Sequence, residues 1–173
     1  MTEFALRFPP KELRYWAAKY EINDVEIRIE RDITPRVRAA GHYSPSDFLT
    51  VARWKSPRAV RHCEKNTAEF VEAVTRTALS TPNEQLRIEV LTLLQGVDWP
   101  TASVLLHFGF EEQYPIVDFR ALWSLNAEPP KTGYTFEFWW SYVLYCRRIA
   151  TTYGLTMRTV DRALWQYSKQ YQR

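Results

Sequence analysis

The chain has 173 residues, 46% of them hydrophobic and 25% charged, which suits one domain with a true core, is too short for two independent domains to be expected, and excludes a chain dominated by disorder. A formal net charge of +3 permits a polyanionic partner without requiring one, while seven Trp within a 15% aromatic content must be buried or used in stacking. The only two Cys, Cys63 and Cys146, form no CxxC pair, which excludes a zinc ribbon or a four-cysteine iron-sulfur cluster built by this chain alone and predicts two buried thiols.

From the start, "MTEFALRFPPKELRYW" puts acid and base where a signal peptide needs an apolar run. No later stretch approaches a membrane span, so a cytoplasmic protein without membrane association is expected. Pro10 opens a first helix whose Leu13, Trp16, Ala17 and Tyr20 share a face. "INDVEIRIERDI" fits two patterns: Val25, Ile27 and Ile29 alternate as in a strand, and Ile22, Val25, Ile29 and Ile33 repeat as in a helix. In "YSPSDFLTVARWKS", Ser44 as cap, Pro45 at the first position and Asp47 in the first turn predict a helix over about 45–55. A longer helix is predicted over about 59–79 with Phe70, Val71, Val74 and Ala78 inward. The next restarts at a capping box of Thr81, Pro82 and Glu84 and ends near Leu94.

"NAEPPKTGY" is the clearest loop. "TFEFWWSYVLYCRRIATTYG" then predicts a long helix ending at Gly154, and "TMRTVDRALWQYSKQYQR" a final helix capped by Thr156. With no internal repeat and no linker, the expectation is an all-α fold, a single compact helical domain over residues 1–173.

Between the loop and the capping box lies "LLQGVDWPTASVLLHFGFEEQYPIVDFRALW", Leu93 to Trp123. Gly96 permits the positive φ that ends one helix, Asp98 can cap the next, and Pro100 fits its first turn, which predicts a helix-hairpin-helix over about 82–108. The N-terminus of the second helix is a site suited to one DNA phosphate.

"L-x-G-V-x-x-x-T-A" at Leu94 to Ala102, followed by "PIVDFRALW" at Pro115 to Trp123, resembles the DNA glycosylases of the helix-hairpin-helix-GPD superfamily, the group that includes endonuclease III and the alkyladenine and adenine glycosylases. In that family a "V-D" at a helix start, here in the loop 114–118, supplies the catalytic carboxylate, and Asp118 matches it. Members with a catalytic lysine carry it eighteen residues earlier, where this chain has Pro100. The resemblance therefore implies a monofunctional enzyme working by water attack, without a Schiff base or a lyase step, without the iron-sulfur module and without a cofactor. It also implies base flipping, a role in base excision repair, duplex DNA with a damaged or modified base as partner, and a monomer. Asp98 stands where a second hairpin glycine is common. Phosphate contact is left to Gly96 and Val97 with the backbone N–H groups of Trp99, Thr101 and Ala102.

The chemistry asks for such an acid. Breaking an N-glycosidic bond builds positive charge on the deoxyribose, and a fixed carboxylate stabilises that charge and orients or deprotonates the attacking water. Positive charge for the DNA backbone clusters in "RWKSPRAVRHCEK", where Arg53, Lys55, Arg58 and Arg61 accompany Trp54 as candidate contacts or a wedge for the vacated stack. Candidates for the walls of a base pocket are His42, Tyr43, Tyr114, Trp139 and Trp140. His107 reads as structural, and no HxH or HExxH spacing suggests a metal. Two rival readings share these residues: a catalytically inactive DNA-binding protein of the same fold, and a helical protein-interaction domain.

Overall fold

A computed structural model describes residues 4–172, and its regular elements are all helical, with no strand among the described residues. The all-α expectation holds. No helix among the described residues is long and apolar enough to cross a membrane. Contacts within the chain gather into two units, one formed by Ile22–Glu111 and the other by the residues up to Glu21 together with those from Glu112 onward.

The Ile22–Glu111 unit opens with α2 (Asp24–Arg28), a π-helical turn (Ile29–Ile33) and α3 (Thr34–Ala40). The segment that fitted two patterns is thus helical. Its inner face is Glu26, Ile29, Ile33 and Val37, while Val25 and Ile27 are exposed. Next come α4 (Pro45–Lys55), the short α5 (Val60–Cys63), α6 (Ala68–Ser80), α7 (Glu84–Leu91) and α8 (Trp99–Gly109). Residues 101–106 of α8 are all buried, as expected of a helix that is apolar around its whole circumference and packed on by its neighbours, here α3, α4, α6 and α7.

Local chemistry explains most boundaries. Ser44 and Asp98 each accept the backbone N–H three residues on, from Asp47 at 3.2 Å and from Thr101 at 2.9 Å. Two expectations are corrected. The helix predicted over 59–79 is broken, because Thr67 accepts the Phe70 N–H at 3.3 Å and starts α6 afresh. This phase buries Val71, Val74, Thr75 and Ala78 and leaves Phe70 41% exposed. Asn83, and not Thr81, caps α7 by accepting the Leu86 N–H at 2.8 Å, while the Thr81 hydroxyl oxygen takes the Asn83 N–H at 3.2 Å.

Asp47, buried in the first turn of α4, accepts two hydrogen bonds from the Arg36 guanidinium at 2.7 and 3.0 Å. That pairing holds its carboxyl below the ordinary 3.8 despite burial, with Ser44 helping. A carboxyl depressed in the folded state stabilises the fold above the unfolded-state value and loses that contribution as pH falls through the folded value. Asp47→Asn is therefore expected to cost about 1–2 kcal/mol at neutral pH and less at about pH 3. Urea denaturation at the two pH values checks it; an equal loss at both would contradict it.

The other unit holds a 3-10 turn (Pro10–Glu12), α1 (Leu13–Ala18), α9 (Phe119–Ser124), α10 (Phe136–Tyr153) and α11 (Met157–Tyr171). Helices α1, α9 and α10 each pack on α11. Thr135 and Thr156 cap α10 and α11, and Gly154 ends α10 in the left-handed region.

Candidate active site

Asp118 is the N-cap of α9: its Oδ1 accepts the Ala121 N–H at 2.8 Å. The preceding residues Tyr114, Pro115, Ile116 and Val117 are buried in chain that belongs to no helix. Their backbone is tied down at successive points. The Arg147 Nε donates to the Gln113 carbonyl at 2.7 Å, the Tyr142 hydroxyl donates to the Ile116 carbonyl at 2.7 Å, and the Ile116 N–H donates to Asp161 Oδ1 at 3.0 Å. Helices α10 and α11 thus fix the segment that delivers Asp118.

Burial, followed by neighbouring Cys146, Asp161 and Asp118, pushes the Tyr142 phenol well above its ordinary range, which keeps it a neutral donor to Ile116. Removing that hydroxyl leaves a buried carbonyl without its partner. Tyr142→Phe is expected to cost about 1–3 kcal/mol and to speed hydrogen exchange at the Ile116 amide, read by denaturation and by exchange NMR. Unchanged exchange there would contradict the anchoring role.

Three of the expected pocket residues come together in this unit. Trp139 and Tyr114 stack at 5.9 Å with planes 10° apart, and Trp139 and Trp140 lie 5.8 Å apart. Phe136 joins them, stacked on Trp140 at 6.0 Å, and the Arg147 guanidinium stands over both Tyr114 (5.0 Å) and Trp140 (5.2 Å). Tyr114 and Trp139 are fully buried, so their faces serve the core, while Phe136, Trp140 and Arg147 are half-buried. Sequence reasoning missed Phe136 and Arg147. Their spacing from Trp140, four residues before and seven after on α10, puts all three on one helix face and could have found them.

His42 and Tyr43 belong to the other unit. Tyr43 is fully buried and its hydroxyl donates to the Leu105 carbonyl at 2.8 Å, a structural bond that ties α8 to the turn after α3. The half-buried His42 ring lies 3.0 Å from the Ala40 carbonyl and 3.8 Å from the Glu72 carboxylate.

In the turn between α7 and α8, Gly96 has φ +81°. A Cβ there would lie 2.7 Å from Cys63 Sγ and 2.9 Å from the Ala59 carbonyl oxygen and the Cys63 nitrogen. The Asn66 side chain clamps the same turn, donating to the Gln95 carbonyl at 3.0 Å and accepting the Gln95 N–H at 2.9 Å. The segment carrying the exposed Arg58, Arg61 and Lys65 therefore runs against the turn.

The backbone groups expected to meet a phosphate are mostly engaged. The Thr101 N–H donates to Asp98 Oδ1, the Ala102 N–H to the Asp98 carbonyl at 2.8 Å, and the Val97 N–H to the Leu94 carbonyl at 3.1 Å. Thr101, Ala102 and Val97 are buried, whereas Trp99 is half-buried. Among the basic residues, Arg53 is 3.6 Å from Glu64, and Trp54 packs edge-on against Phe108 at 5.6 Å; Lys55 is half-buried.

Both Cys are buried thiols, and burial raises the pKa of each. Among the described residues, no group of three or more His, Cys, Asp or Glu could hold a metal ion. No protein-family model, no curated protein and no solved structure matches the chain.

Proposed function

We propose that this chain is a monofunctional DNA glycosylase that turns a damaged or modified base out of DNA and hydrolyses its N-glycosidic bond with Asp118. The observation that carries the reading is the delivery of Asp118. A buried segment, bonded to Arg147, Tyr142 and Asp161, ends in a carboxylate that caps α9 through Oδ1. Pre-organised charge of this kind stabilises a developing cation without reorganisation during the reaction.

In the step proposed, the bond between C1′ of the deoxyribose and the base nitrogen breaks and its electron pair leaves with the base. Asp118 faces the positive charge that develops on the sugar, water adds its oxygen to C1′, and the proton that water loses passes to the carboxylate. The departing base takes up a proton. Pro100 in the position of the family's lysine leaves no amine there for a covalent intermediate. Because the Thr101 and Ala102 amides are spent on Asp98, phosphate contact near the turn is assigned to the exposed side chains of Arg58, Arg61 and Lys65. The half-buried faces of Phe136 and Trp140, with Arg147 beside them, are the surfaces proposed to stack on the base.

The test is mass spectrometry of bases released from a panel of damaged, alkylated and otherwise modified duplexes. A free base with a matching abasic site supports the reading. Tight DNA binding with no base release from any substrate would favour a non-catalytic DNA-binding protein instead.

A further inference from the structure

On α11, Arg158, Arg162, Trp165 and Lys169 recur at intervals of four, three and four residues, the spacing of a single helix face. The opposite side of α11 is spent on the core through Met157, Val160, Ala163 and Leu164. On the outer face the cations stand on rings. Arg158 and Arg162 lie 5.9 and 5.6 Å from the Tyr20 ring centre, and Tyr20 meets Trp165 edge to face at 5.3 Å. Lys169 lies 5.4 Å from the Trp165 ring, and Arg120 lies 5.3 Å from Trp165 and 5.2 Å from Phe119. Lys169 also reaches the 90% exposed carboxylate of Glu21 at 3.9 Å.

From this arrangement we propose a second DNA contact surface, in which Arg120, Arg158, Arg162 and Lys169 hold the phosphate backbone of a strand along the outer face of α11. A guanidinium on a ring engages its flat face there and recognises phosphate by its edge, and stacking restricts the side-chain freedom that binding must otherwise remove. From Arg158 to Lys169 the helix rises about 16 Å. At about 3.4 Å per nucleotide of one strand, that length spans about five phosphates. A row of cations along one helix face matches an extended polyanion. A membrane surface asks for something else, several aromatic side chains that protrude beyond the charges, whereas Trp165 and Tyr20 are half-buried and only Phe119 of these three rings is exposed. Arg120 follows Asp118 by two residues in the chain and lies against Trp165, within the row, so a strand held there would carry its sugars toward the carboxylate; this last placement rests on the glycosylase reading.

The experiment measures the salt dependence of affinity for a fluorescent 20-base-pair duplex, comparing the full chain with the variant Arg120→Gln, Arg162→Gln, Lys169→Gln. Three lost phosphate contacts should reduce the slope of log K against log salt by about 2.7 and weaken binding at low salt by at least about tenfold. The companion Arg120→Lys, Arg162→Lys, which keeps the charges, should retain most of the slope. Should the triple variant melt early, Lys169→Gln alone decides, with a slope reduced by about 0.9. An unchanged slope overturns the proposal. So does a variant that loses binding to phosphatidylserine vesicles while holding DNA as before. A stripe-dependent slope in a protein that releases no base would sustain this surface and sink the glycosylase, and base release with an unaltered slope would do the reverse.

Discussion

Asp118→Asn is expected to remove base release while leaving the fold and DNA binding in place. Asn is as good an N-cap as Asp, and its side-chain oxygen can still accept the Ala121 N–H, so α9 keeps its start. On the mechanism proposed, what disappears is the negative charge facing the sugar and the group that takes the proton from water. General-base and charge-stabilising roles of this kind are each worth about 10²–10⁴-fold, so the single-turnover rate should fall by at least about 10³-fold. Asp118→Ala would add a stability loss of about 1 kcal/mol from the missing cap. The pair separates the two duties of one side chain: equal melting with unequal activity for Asn, and a loss in both for Ala.

The largest stability effect is expected at Gly96, in the turn between α7 and α8. Gly96→Ala forces a side chain into a left-handed backbone and drives its Cβ to 2.7 Å from Cys63 Sγ and 2.9 Å from two backbone atoms of the 59–63 segment. Sulfur can rotate aside, but the Ala59 carbonyl and the Cys63 amide move only with α5. A cost of about 2–4 kcal/mol follows. Gly41 is the control: its φ is +70° and nothing lies within 4 Å of its Cβ position, so Gly41→Ala should show the backbone strain alone, about 1–2 kcal/mol. Urea midpoints of both variants measure the difference; equal losses would mean that the close approach at Gly96 carries no weight.

Features whose cause is local were legible in the sequence. Ser44, Asp98 and Thr156 were expected to cap helices and all do, because an oxygen three residues before an N–H needs no tertiary information. Asn83 shows the limit of such reasoning, since Thr81 offered an equally good local signal and the chain used both, one for the turn and one for the helix. Phase within helices was harder. Phe70 fitted an inward pattern until Thr67 restarted the helix, and α2 turns the acid Glu26 inward while Val25 is exposed, which no apolar pattern anticipates. At the site, the position of Asp118 was readable from its surroundings in the chain. The groups that aim its segment were not, because Tyr142, Arg147 and Asp161 sit on helices 24 or more residues further on and act on backbone atoms whose partners no spacing reveals. Thr101 and Ala102 illustrate the opposite case: an amide at a helix start invites a ligand until the cap beside it takes the bond.

The proposed role of Asp118 in hydrolysing a glycosidic bond in DNA is tested by free base recovered, by mass spectrometry, from modified duplexes incubated with the wild-type chain and with Asp118→Asn at matched DNA occupancy. A released base and an equal number of abasic sites are expected with the wild type, and a loss of both by at least about 10³-fold with the variant. Equal release by the two proteins would contradict it.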